Sequence, residues 1–135
     1  IPLTHRSATP GVTFLTGHRR RPDLELDWAN LANSGNTLVF YMGLSNLPRI
    51  AVNLMANGMD SSTPAALVQS GATLAQRVWT SSLSGLPALA AEEGIQPPVL
   101  IIVGEVVRLR ERLAWFEQLA TNPEATTPFP FSPEG

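Results

Sequence analysis

From Thr37 to Leu44 the chain reads TLVFYMGL, a short apolar, β-prone run that stops at Met42-Gly43. Beyond it, apolar residues at 47, 50, 51, 54 and 55 recur at the spacing of one helix face, with Ser45 or Asn46 as N-cap, Pro48 in the first turn and Asn57-Gly58 as the stop. The pattern predicts a strand, a glycine turn and a helix. In an open α/β sheet ligands bind at such strand ends, so the turn at Met42 is the first candidate site.

The same reading extends along the chain. Val12 to Thr16 (VTFLT) predicts a strand that ends at Gly17-His18 and delivers the basic loop Arg19-Arg20-Arg21. Asp27 can cap a short helix through Leu31 and Ala32, and Asn33 to Asn36 supply turn chemistry before the strand Thr37 to Met42. Ala65 to Val68 is a further apolar run, closed at Gly71-Ala72-Thr73, with Gln76 to Trp79 as the strand after the turn. Leu86 to Glu93 reads as a helix with Pro87 at its start and Gly94 at its end. Pro97-Pro98 precede Val99 to Val103 (VLIIV), a continuous apolar run of the kind a strand buried on both faces shows. From Glu105 onward Val106, Leu109, Leu113 and Phe116 keep near-helical spacing and predict a helix packed on the sheet. Residues 121–135 hold four prolines and no periodicity, which predicts a disordered Pro-rich tail behind a domain spanning 1–120.

Alternating strands and helices predict an α/β fold: a three-layer domain with a mixed, mainly parallel sheet of about five strands flanked by helices. The spacing around Gly71 to Gln76 predicts one antiparallel pair within it. With 135 residues, one domain with a real core is expected.

Composition removes several chemistries. No Cys and two histidines, His5 and His18, leave no material for thiolate or His-rich metal sites, so no metal is expected. A net charge of -2 gives no general grip on nucleic acid, and no apolar run reaches the roughly 20 residues a bilayer span needs. A cytoplasmic setting is compatible with the absence of Cys. All nine basic residues are Arg, which excludes a lysine Schiff base and favours forked recognition of carboxylates or phosphates. The chain begins at Ile1 without Met, which suggests an excised or processed piece. Trp28, Trp79, Trp115 and Tyr41 form no stacking ladder for bases and read as core or interface residues.

Several blocks in order, IPLTHR, TGH, LDWANLA, TLVFYMGL, PAALVQSGAT, QRV and PVLIIVGEVVRLRERLAWF, resemble the C-terminal half of the uroporphyrinogen-III C-methyltransferases of the tetrapyrrole methylase family. The family's glycine-rich GxGPGD loop, its GGDP-type turn and its proposed acid and base belong to an N-terminal half that this sequence does not contain. The resemblance therefore implies one wall of a two-domain cleft, inactive alone, with the missing N-terminal domain as partner and no catalytic residue of its own. It implies S-adenosylmethionine as cosubstrate, uroporphyrinogen III as acceptor, precorrin-2 as product on the siroheme, cobalamin or haem d1 route, and a homodimer. A precorrin methyltransferase acting on a neighbouring intermediate, or a non-catalytic α/β dimerisation or ligand-binding module, are the alternatives.

Residue by residue, the resemblance makes Met42 a contact of both cofactor and tetrapyrrole, against a core methionine filling a gap. Gly71 becomes a second cofactor contact, against a plain turn glycine. Pro98 and Val99 fall where relatives contact the adenine, Val99 being bulkier than the usual Ala or Ser. The acceptor carries eight carboxylates, so His18 in TGH and Arg6 are substrate candidates; a solvated loop is the other reading for Arg19 to Arg21, and a linker-holding role for His5 and Arg6. Asn46 could face the macrocycle or serve only as a helix cap.

Overall fold

A computed structural model of the protein describes residues 1–17 and 25–113. The basic loop, Trp115, Phe116 and the 121–135 tail expectation lie outside the described residues. Five strands, β1 (Val12–Thr16), β2 (Thr37–Tyr41), β3 (Pro64–Gln69), β4 (Arg77–Ser82) and β5 (Val99–Val103), form one sheet in the order β1-β2-β5-β3-β4. Between them lie α1 (Trp28–Asn33), α2 (Leu47–Ala56) and α3 (Leu86–Glu92). After β5 come a 3₁₀ turn, Glu105–Leu109, and α4 (Arg110–Leu113).

The helices form where local chemistry allows. Asp27 caps α1, its carboxylate accepting the Asn30 N–H at 3.0 Å. In α2 the apolar stripe Leu47, Ile50, Ala51 and Leu54 is buried, and the helix stops before Gly58, whose φ of 106° only glycine adopts readily.

The sheet is mixed, but it is not mainly parallel. Only β1 and β2 pair in parallel; β2–β5, β5–β3 and β3–β4 are antiparallel. The physical reason is interleaving. Each helical link, β1-α1-β2, β2-α2-β3 and β4-α3-β5, joins strands running the same way, as strand–helix alternation implies. Strand β5 then inserts between β2 and β3 and replaces one parallel contact with two antiparallel ones. A continuous apolar run such as VLIIV marks a central strand without marking its direction.

The layering follows from the same order. The links β1-α1-β2 and β2-α2-β3 step across the sheet one way, whereas β4-α3-β5 steps back with strand direction reversed, so right-handed crossovers put all three helices on one face. The main core lies there, where Leu38, Phe40, Leu67 and Ile101 of the sheet meet Leu47, Ile50, Leu54 and Leu86 of the helices. On the opposite face Val39, Ala66 and Ile102 are covered by Val107 of the 3₁₀ turn, with Ile1 packed alongside. Among the described residues the third layer is therefore thin. Because the post-β5 segment begins as a 3₁₀ turn, Val106 and Val107 are its buried pair, while Leu113 is 50% exposed.

Ile101 is fully buried at the centre of β5. Ile101→Ala is expected to cost about 2–5 kcal/mol in urea unfolding, whereas Val52→Ala on the exposed side of α2 should stay within about 0.5 kcal/mol.

Candidate functional site

The C-terminal ends of β1, β2 and β3 and the N-terminal end of β5 converge on one edge of the sheet. There the middle lane, held by Val99 in register with Gln69, gives way to Pro97-Pro98, a cis pair with no N–H to offer a neighbour. The tips of β2 and β3 therefore stand roughly two strand spacings apart, about 9–10 Å, with Pro98 between them.

On the β2 side, Met42 follows Tyr41 with a φ of 52°, in the left-handed region. Packing enforces this turn. The Gly17 N–H donates to the Tyr41 carbonyl at 2.7 Å, and a Cβ on Gly17 would collide with the Gly43 backbone. A Cβ on Gly43 would come within 2.9 Å of Ile101 Cδ1. With Gly43 buried, the chain turns Met42 outward, where it is 67% exposed.

On the β3 side, Ser70 and Ala72 are also left-handed, with φ of 50° and 62°. Short bonds hold this loop: the Ala72 N–H donates to Gln76 Oε1 at 2.8 Å, Thr73 Oγ1 to the Ser70 carbonyl at 2.7 Å, and the Ser70 N–H to the Pro98 carbonyl at 3.1 Å. Left-handed backbone outside glycine costs of order 1–3 kcal/mol per residue and concentrates at functional sites. Gly71, between the two, is exposed; no neighbour lies nearer than 3.3 Å to where its Cβ would stand, and its own φ is not left-handed. Neither internal packing nor left-handed geometry requires glycine there.

These segments enclose an open groove of about 1480 Å³, large for a single small-molecule site. Met42, Gly71, Pro98 and Val99 all line it, so the sequence-predicted cofactor residues are brought together. Val99 is itself buried, and its side chain belongs to the helix-side core. The groove also runs onto the thinly covered face of the sheet through Tyr41, Val68, Leu100 and Ile102. Arg110 is the one charged side chain lining it among the described residues.

Two substrate candidates stand apart from the groove. Asn46 does not line it; its Nδ2 donates to the Gly17 carbonyl at 2.6 Å and makes no N-cap bond to α2. Arg6 is exposed in the turn closed by the His5–Thr9 bridge, outside the groove lining. His18 and Arg19 to Arg21 lie outside the described residues. Sequence reasoning missed Ser70, Ala72 and Arg110. Nothing in the residue types Ser and Ala signals left-handed backbone, and Arg110 read as the polar side of a helix.

Residues 1–87 match the family of tetrapyrrole (corrin/porphyrin) methylases. The chain belongs to that family. It is 53% identical over 117 residues to a siroheme synthase of Pseudomonas aeruginosa and 55% identical over 117 residues to one of Pseudomonas putida. Those matches cover 87% of this chain and 25% of each relative, so the chain spans about a quarter of their length. Among solved structures, a uroporphyrin-III C-methyltransferase from Thermus thermophilus complexed with S-adenosylhomocysteine superposes with a TM-score of 0.66 at 32% identity, covering 80% of this chain and 48% of that one. A cobalt precorrin-4 methyltransferase shares the fold, with a TM-score of 0.69 at 18% identity over 78% of this chain and 45% of that one. This chain thus has the fold of those methyltransferases over about four-fifths of its length.

The two glycine turns should respond differently to one added methyl. Gly17→Ala forces backbone apart and is expected to lower unfolding free energy by about 1–3 kcal/mol. Gly71→Ala needs only a slight shift of Val68 and should stay within about 0.5 kcal/mol, both read by urea titration.

Proposed function

We propose that this chain is the C-terminal, ligand-binding wall of an S-adenosylmethionine-dependent uroporphyrinogen-III C-methyltransferase that forms precorrin-2. The observation that carries the reading is that all three left-handed non-glycine residues of the described chain, Met42, Ser70 and Ala72, line the same groove. The Thermus thermophilus enzyme with bound S-adenosylhomocysteine, at 32% identity, supports the choice of cofactor.

The groove fits such a ligand. Its walls are mainly apolar, suited to a purine and a macrocycle face, and at Gly71 the backbone meets the groove with no side chain of its own. When bound, S-adenosylmethionine supplies an electrophilic methyl group on a sulfonium. This chain's part is to hold and align: the backbones of Met42, Gly71, Pro98 and Val99 seat the adenosyl end, and the Met42 side chain bears on the tetrapyrrole. Alignment of acceptor carbon with methyl is the large term in such a displacement. A macrocycle with eight carboxylate arms extends beyond the groove, where Arg6 and His18 would meet the arms. Proton handling belongs on this reading to the N-terminal domain, and the parent is a cytoplasmic homodimer. Among the described residues no helix is long and apolar enough to cross a membrane, and no three potential metal ligands cluster.

Calorimetric titration of the 135-residue chain with S-adenosylhomocysteine tests the half-site. Met42→Ala should keep that affinity within about twofold, because the backbone makes the contact. Methylation of uroporphyrinogen III on co-expression with an N-terminal half should fall by about tenfold or more in the same variant. Full methylation by Met42→Ala would remove Met42 from the tetrapyrrole site, and no methylation of uroporphyrinogen III by the unsubstituted chain co-expressed with an N-terminal half would overturn the reading.

A further inference from the structure

Asn46 makes a bond that bears on the groove from outside it. Its Nδ2 donates to the Gly17 carbonyl at 2.6 Å, a part-buried contact between residues 29 positions apart. The other side of the same residue is engaged too, the Gly17 N–H donating to the Tyr41 carbonyl at 2.7 Å. Gly17 therefore holds the chain on both flanks of Met42-Gly43, at Tyr41 before them and Asn46 after them. The loop is also closed on itself, since the Asn46 N–H donates to the Gly43 carbonyl at 3.0 Å. Between those anchors the Gly17 and Gly43 backbones touch, which leaves no room for a side chain to do the same work.

We propose that Asn46 is a positioning residue: by gripping the Gly17 carbonyl it fixes the Tyr41–Gly43 turn and holds Met42 in its left-handed, groove-facing conformation. The ligand-affinity part of this statement rests on the function proposed above; the conformational part does not. Left-handed backbone at a methionine is costly, so it persists only where neighbours over-determine it, and Asn46 supplies the side-chain anchor. An amide is the right group because the Gly17 carbonyl needs a donor. A carboxylate at 46 would present an acceptor instead, whereas Gln keeps the donor on a longer stem.

The structure contains a matched control. Thr9 Oγ1 donates to the Gly35 carbonyl at 2.8 Å and to the Gly11 carbonyl at 3.0 Å, a similar side-chain anchor at the opposite end of β1 and β2. Amide hydrogen exchange in the free chain, and calorimetric affinity for S-adenosylhomocysteine, are to be measured for the parent, Asn46→Asp, Asn46→Ala, Asn46→Gln and Thr9→Val. Asn46→Asp is expected to speed exchange at the Gly17 and Asn46 amides by about tenfold or more and to weaken binding by about tenfold, with Asn46→Gln recovering part of both. Should Asn46→Asp not fold, Asn46→Ala, which has no side-chain donor, takes its place with the same expected direction. Thr9→Val should lower the unfolding midpoint while leaving those two amides and the affinity as in the parent. Parent-like exchange at Gly17 and position 46 in the variant that lacks the donor would overturn the proposal, as would Thr9→Val weakening binding equally. An unsubstituted chain that gives no methylation on co-expression with an N-terminal half overturns the functional reading alone, and the exchange result still decides the role of Asn46.

Discussion

Strand β5 hydrogen-bonds to β2 on one side and β3 on the other, so that Ile102 stands between Val39 and Ala66, and Ile101 between Phe40 and Leu67. These rows fill both faces of the sheet and join its two halves. Without β5 the β1-β2 pair and the β3-β4 hairpin would share no ladder. Its insertion also makes the groove, because it separates the tips of β2 and β3 by one intervening lane and there gives way to two prolines with no N–H to donate. The element that closes the core at one level thus opens the site at the next.

Above that level the two rims are held by different means. The β2 rim depends on backbone against backbone, Gly17 on Gly43, with the Asn46 side chain drawing the turns together. The β3 rim is a loop braced by its own side chains, Thr73 and Gln76, and moored to β5 through Ser70 and Pro98. One rim combines close backbone packing with hydrogen bonds to Gly17, and the other rests on hydrogen bonds that solvent can contest.

Much of this was legible in the sequence because it is local. The TLVFYMG strand and turn, the Asp27 cap and the α2 stripe rest on residues within one or two turns of each other, and each formed as the pattern predicts. Met42, Gly71, Pro98 and Val99 were nameable through the family resemblance, and they share one groove. What pattern could not reach is long-range. The direction of β5 depends on which strands receive it, a choice its apolar residues do not encode. The partner of Asn46 is a carbonyl on another strand's end, and a carbonyl leaves no trace in residue type. Ser70 and Ala72 take a backbone shape that their own preferences oppose, which only surrounding structure imposes.

The left-handed residues of the groove carry a thermodynamic implication for whatever enters it. Loops that order themselves around a guest lose conformational freedom at the moment of association, and affinity drops accordingly. Here the awkward backbone at Met42, Ser70 and Ala72 is already in place in the free chain. Its entropic debt falls on folding, so this wall should act on an arriving ligand as a rigid template, while the chain itself is left less stable than its core alone would make it.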